Sequence, residues 1–140
     1  MSRVFWDTML FAYLLDGNPK YVARVRGVLE RSYERGDTLI TSSLAVGEVM
    51  AGKSDPDTAQ LMKATIEQMG FSFLSFDTRC IDTFWYLRSG LKLKAPDSIH
   101  IACAAAANVD LFMTGDKKLL GRRLHLNGIQ FITNFETVVF

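Results

Sequence analysis

Four acidic residues stand where the neighbouring sequence is apolar: Asp7, Glu48, Asp97 and Asp116. Asp7 closes the short run Arg3-Val-Phe-Trp6, and Glu48 lies in "TSSLAVGEVMAG" among Leu44, Ala45, Val46, Val49 and Met50. Asp97 and Asp116 sit at the two junctions of a single helix–strand unit, "KAPDSIHIACAAAANVDLFMTGDKKL". An unpaired carboxylate in apolar surroundings is costly. Two of them about 4 Å apart repel by roughly 4 kcal/mol at an effective dielectric of about 20, so a cluster needs a cation. Oxygen-only donors select a hard ion, Mg2+ or Mn2+, over zinc. Such an ion activates water and stabilises the charge of an in-line phosphoryl transition state.

Each acid also has a purely structural reading. Asp116 can cap a helix beginning at Lys117, and Asp97 can serve its helix dipole, worth about 0.3–1 kcal/mol. Asp7 can start a turn with Thr8, and Glu48 can be a partly exposed surface acid or half of a salt bridge.

The elements that must position these acids alternate between strand and helix. Strands are expected at 3–6, 38–41, 71–76, 111–114 and 130–133. Helices are expected at 8–16, 20–35, from Ser42 or Ser43 to Gly52, and at 57–69. Others run from Asp77 or Thr78 to about Gly90, over 96–107, and from Lys117. Gly17-Asn18-Pro19 and Gly36-Asp37 break the chain between elements. This alternation predicts an α/β protein with a mostly parallel sheet covered on both faces. In such a sheet ligands bind beyond the carboxyl ends of the strands. Asp7 and Asp116 follow strand ends, and Asp97, behind Pro96, opens a helix that can face the same crevice.

At 140 residues the chain is expected to form one domain and to bury about two-thirds of its unfolded surface. A content of 49% hydrophobic and 22% charged residues suits a soluble globular protein. The apolar run from Ile101 to Ala107 is too short to span a bilayer, and Asp7 interrupts any signal-peptide pattern. Cys80 and Cys103 match no metal-ligand or redox spacing and read as reduced packing residues of a cytoplasmic protein.

The chain carries 16 Lys and Arg against 15 Asp and Glu; with the four acids set aside 11 acids remain, leaving +5. Lys92, Lys94, Lys117, Lys118, Arg122 and Arg123 flank Asp97 and Asp116 and read either as a rim for a polyanion or as ordinary solvated charges. His100, three residues after Asp97, is read as packing rather than as a ligand. Asp77 and Asp82 read as a helix cap and a helix-surface acid. Phe84, Trp85 and Tyr86 could stack on bases but read as core or partner interface. No Ser/His/Asp or Cys/His arrangement supports covalent catalysis.

The blocks "VFWDTMLFAYLLDG", "TSSLAVGEVMAG" and "APDSIHIACAAAANVDLFMTGDKKL" resemble, in order and spacing, those of PIN-domain ribonucleases, particularly the VapC-like toxins of toxin–antitoxin modules. The resemblance spans essentially the whole chain and implies a three-layer α/β/α fold. It places the family's metal-binding acids at Asp7, Glu48, Asp97 and Asp116, and its helper Thr or Ser at Thr114. It further implies an endoribonuclease using Mg2+ or Mn2+ that leaves 5′-phosphate and 3′-hydroxyl ends on a structured RNA. Lys92, Lys94, Lys117 and Lys118 would then contact the RNA, and the protein would be a homodimer inhibited by a small cognate antitoxin. The family commonly has Asn two residues after its first acid, where this chain has Met9. The alternatives are a PIN-fold binding module without nuclease activity and an aspartate-based phosphoryl-transfer domain. Thr8 and Met9 after Asp7 argue against the second, which needs further acids near that strand end.

Overall fold

The computed structural model describes residues 1–139. Its elements are β1 (Arg3–Trp6), α1 (Thr8–Leu15), α2 (Val22–Arg35), β2 (Thr38–Ser42), α3 (Ser43–Ala51) and α4 (Pro56–Gln68), followed by β3 (Ser72–Leu74). After these come α5 (Ile81–Trp85), α6 (Ala95–Ala106), β4 (Val109–Thr114), α7 (Lys117–Gly121) and β5 (Ile129–Asn134). The strands form a sheet in the order β3-β2-β1-β4-β5, and every neighbouring pair is parallel.

Successive side chains of a strand face opposite ways, and β1 uses this to feed two cores. Val4 and Trp6 join Leu10 and Phe11 of α1, Val25, Val28 and Leu29 of α2, Val46 and Val49 of α3 and Ile66 of α4. Phe5 points to the other layer, where it stacks on Phe112 at 4.8 Å and packs with Ile101 and Ala104 of α6 and Leu119 of α7. The result is the three-layer α/β/α arrangement expected from the alternation. No helix among the described residues is long and apolar enough to cross a membrane.

Two elements differ from expectation. β3 stops at Leu74 because its partner β2 pairs Ser42 with Leu74 and then turns into α3. The stretch 78–90 is not one regular helix: a 3-10 turn at Thr78–Cys80 precedes α5, and a π-helical turn at Tyr86–Gly90 follows it. Trp85 and Tyr86 are 65% and 46% exposed, so a core role does not hold for them, while Phe84 packs partly against Cys80 and Cys103. Those cysteines, distant in sequence, share one small buried cluster. Burial, and then Cys80 beside it, push the Cys103 thiol up to about 12, which keeps it an uncharged packing group. Asp77 caps the 3-10 turn by accepting from the Arg79 N–H, and Asp82 lies exposed on α5, as expected.

The connection into β5 depends on Gly128, whose φ is +92° and whose missing Cβ would fall 2.2 Å from the Ala105 carbonyl oxygen at the end of α6. Both the left-handed backbone and the close approach exclude a side chain. Gly128→Ala is expected to destabilise the protein by about 2 kcal/mol or more, read as a lower urea midpoint with an unchanged m-value.

Candidate active site

β1 and β4 are adjacent parallel strands with Trp6 opposite Met113, so their carboxyl ends coincide. Strand order reverses direction at this pair, which is where an open parallel sheet leaves a crevice. Asp7, the residue after β1, donates its backbone N–H to the Met113 carbonyl at 2.9 Å and is only 6% exposed. Its Oδ1 accepts from the Thr8 N–H at 2.8 Å, capping α1, and its Oδ2 accepts from the Thr114 hydroxyl at 2.8 Å. Thr114 Oγ1 in turn accepts from the Asp116 N–H at 3.1 Å, so one hydroxyl ties the two strand-end acids together.

Asp116 does cap α7: its Oδ1 accepts from the N–H groups of Lys118 and Leu119 at 3.0 and 3.3 Å. The structural and the site placements of this residue therefore coincide. Asp97 behaves differently. It lies in the first turn of α6, which begins at Ala95, and its carboxylate makes no hydrogen bond to any described residue. Together with Asp116 it lines a cleft of about 170 Å³ whose other walls include Lys92, Lys94, Lys118 and Arg122. Arg122 also donates to the Leu91 carbonyl. Lys117 and Arg123 do not line this cleft.

Burial pushes the Asp7 carboxyl above its ordinary value; Thr114, His100 and Thr8 oppose the rise, and Asp116 adds to it. Asp97 is raised by burial first and then by the negative charges of Asp7 and Asp116, with His100 and Lys94 opposing. Three of the four expected acids thus share one electrostatic field.

Glu48 belongs to a neighbouring group. Its Oε1 accepts from the Thr8 hydroxyl at 2.8 Å and lies 2.8 Å from His100 Nε2. His100 Nδ1 lies 2.7 Å from Ser42 Oγ. Thr8 bridges the two groups, because its N–H serves Asp7 while its hydroxyl serves Glu48. His100 is buried as a packing residue should be, but both ring nitrogens are engaged, so it also organises polar groups. Thr8 and Ser42 carried no signal of such a role beyond their places next to Asp7 and at the start of α3.

Met9 replaces the expected Asn, and its Sδ accepts from the Gly115 N–H at 3.0 Å. A Cβ at Gly115 would lie 2.8 Å from that sulfur and 2.6 Å from the Phe135 ring. The thioether and a bare glycine therefore hold α1 against the turn that carries Asp116.

Among the described residues no three His, Cys, Asp or Glu side chains converge into a metal-holding group as they stand. The donor types nevertheless fit a hard divalent ion. They are carboxylate and hydroxyl oxygens, the nearby imidazole has both nitrogens occupied, and the cysteines lie in a separate cluster.

The PIN domain family model matches residues 4–122. The chain belongs to the PIN domain family. The matched span contains Asp7, Glu48, Asp97, Thr114 and Asp116. Solved structures share this PIN fold at low identity. A toxin–antitoxin complex from Klebsiella pneumoniae aligns at TM-score 0.67 and 21% identity, over 90% of this chain and 94% of the other. VapBC2 from Rickettsia felis, bound to a DNA fragment from its promoter, aligns at 0.69 and 18%, over 84% and 91%. VapBC-1 from nontypeable Haemophilus influenzae aligns at 0.65 and 16%, over 85% and 90%. No curated protein matches the sequence.

The raised carboxyls of this PIN domain set a sign for stability. An acid whose folded-state pKa lies above its ordinary 3.8 holds its proton longer when folded. Its contribution to stability therefore falls as pH rises from 3.8 through the raised value, and stays lower above it. In metal-free protein Asp97→Asn is expected to raise the unfolding temperature at neutral pH, the gain shrinking as pH falls through the raised value and vanishing below 3.8. Thermal unfolding across pH in EDTA checks this. A helix-dipole role alone would make the variant less stable by about 0.3–1 kcal/mol at neutral pH.

Proposed function

We propose that this chain is a divalent-metal-dependent endoribonuclease and the toxin of a toxin–antitoxin pair, acting in the cytoplasm. The observation that carries the reading is the shared field of Asp7, Asp97 and Asp116 at the sheet's switch point, with Lys92, Lys94 and Lys118 on the cleft wall. Negative charge concentrated beside a cationic wall suits a phosphodiester that must approach a cation. The antitoxin partner is supported by the toxin–antitoxin complexes among the similar folds. The homodimer rests on the family resemblance alone.

Asp7, Asp97 and Asp116 would hold Mg2+ or Mn2+, with Glu48 contributing directly or through water. When bound, the ion supplies Lewis-acid stabilisation of phosphoryl oxygens and activates water for in-line attack. Thr114 keeps Asp7 Oδ2 in place and anchors the Asp116 backbone, so both carboxylates are oriented before substrate arrives. Lys92, Lys94, Lys118 and Arg122, on the wall of the same cleft, would hold backbone phosphates of the RNA. Lys117, exposed at the start of α7, would add charge at longer range.

Purified protein is expected to cleave RNA with Mg2+ or Mn2+, to stop in EDTA, and to use zinc poorly. Cleavage that continues unchanged in EDTA would remove the metal mechanism, and binding without cleavage under any metal would leave a non-catalytic module. The rim is tested separately. Neutralising Lys92, Lys94 and Lys118 together is expected to weaken RNA binding and to flatten the slope of log K against log salt by about 2. Mn2+ affinity should barely change. A salt slope equal to that of the wild type would make these lysines ordinary surface charges.

A further inference from the structure

His100 is 2% exposed, although it sits three residues from half-buried Asp97 on the same helix. A buried imidazole needs partners at both nitrogens, and here the partners differ in kind. Glu48 is a carboxylate, which when ionised can only accept. Ser42 Oγ already accepts the Ala45 N–H at 3.0 Å as the cap of α3, and its own proton remains to be given. For a neutral ring the directions then follow without conflict. The Ser42 hydroxyl donates to Nδ1, and Nε2–H donates to Glu48 Oε1. Thr8 donates to the same Oε1, while Oε2 accepts from no described residue.

We propose that His100 is a positioning residue for Glu48: locked as the Nε2–H tautomer by Ser42, it pins Oε1 and leaves Oε2 as the oxygen offered to the ion. The idea rests on the metal-dependent reading above and adds to it the way one acid is aimed. Glu48 needs such help more than Asp7 does. Its side chain is 36% exposed and longer by a methylene, so without Thr8 and His100 it would sample several rotamers. Ser42 makes the relay specific: a partner that could only donate or only accept could not both cap α3 and set the tautomer. Groups that orient a metal ligand in this way are typically worth about 10–100-fold in metal affinity.

The test reads Mn2+ affinity by electron paramagnetic resonance and the tautomer by 15N NMR of histidine-labelled, metal-free protein. The wild type should show a protonated Nε2 at His100, and Ser42→Ala should weaken that preference. His100→Leu should lower Mn2+ affinity about 10–100-fold, whereas His100→Gln, whose amide can donate to Glu48, should recover most of it. In a Glu48→Ala background the His100→Leu substitution should change affinity by less than about twofold, because the group it aims is gone. An equal loss in both backgrounds, or a protonated Nδ1 in the wild type, overturns the positioning role while leaving the nuclease reading intact. Absence of Mn2+ binding by wild type, with the Nε2–H signal present, instead counts against the metal-dependent reading. If His100→Leu does not fold, His100→Gln and Ser42→Ala carry the same comparison.

Discussion

Keeping the Asp7 carboxylate out of bulk water at the end of a central strand is the constraint around which the crevice is built. Burial alone would favour the protonated form, so the fold must supply donors, and it supplies two. One is the Thr8 N–H at the start of α1, which needs an acceptor in any case. The other is the Thr114 hydroxyl from the adjacent strand. Neither donor is a cation. The negative potential is therefore retained rather than neutralised, and it reaches Asp97, whose carboxyl is raised in turn. Such an arrangement costs stability in the absence of a counter-ion, as expected where the fold serves a site rather than its own core.

The sheet order makes this economical. Because β2 and β4 flank β1 on opposite sides, the connections leaving β1 and β4 diverge, and the gap between them stays open. Asp116 lies on one side of that gap and Asp97 on the first turn of α6. Asp7, Asp97 and Asp116 are each placed by a backbone feature the fold requires anyway: a strand end, a helix start or a cap. Asp116 shows how one carboxylate serves twice, since its Oδ1 caps α7 while the residue lines the cleft. Met9 contributes to the same region through its side chain. Its sulfur takes the Gly115 N–H and holds the turn before Asp116 against α1.

Glu48 stands apart because it comes from the middle of α3, where no strand end fixes it. Its order comes from side chains on three other elements: Thr8 of α1, His100 of α6 and, one step removed, Ser42 of β2. The three aspartates at the switch point are thus placed by backbone features, while Glu48, in the neighbouring group, is held by side chains. Membership of the PIN domain family places the chain among proteins sharing this layered sheet.

The sequence by itself determined the layered architecture and the candidate acids. Period-2 and period-3.6 apolar patterns are local, and strand ends, Pro96 and the Lys117 helix start are visible in a few residues. It marked Asp7, Glu48, Asp97 and Asp116 because acids in apolar neighbourhoods require an explanation. What it could not decide was which groups meet. The Thr114–Asp7 hydrogen bond joins residues 107 apart, Thr8–Glu48 joins residues 40 apart and Ser42–His100 joins residues 58 apart. Cys80 and Cys103, which read as packing residues with no recognisable spacing, proved to pack in one cluster. Strand order, which is not encoded in any single segment, set which ends lie side by side. That order made Thr114 a shared donor, turned His100 from filler into a contact of Glu48, and left Lys117 outside the cleft its neighbour Lys118 lines. Local pattern decides what a residue can do; only the packing of distant segments decides what it has within reach.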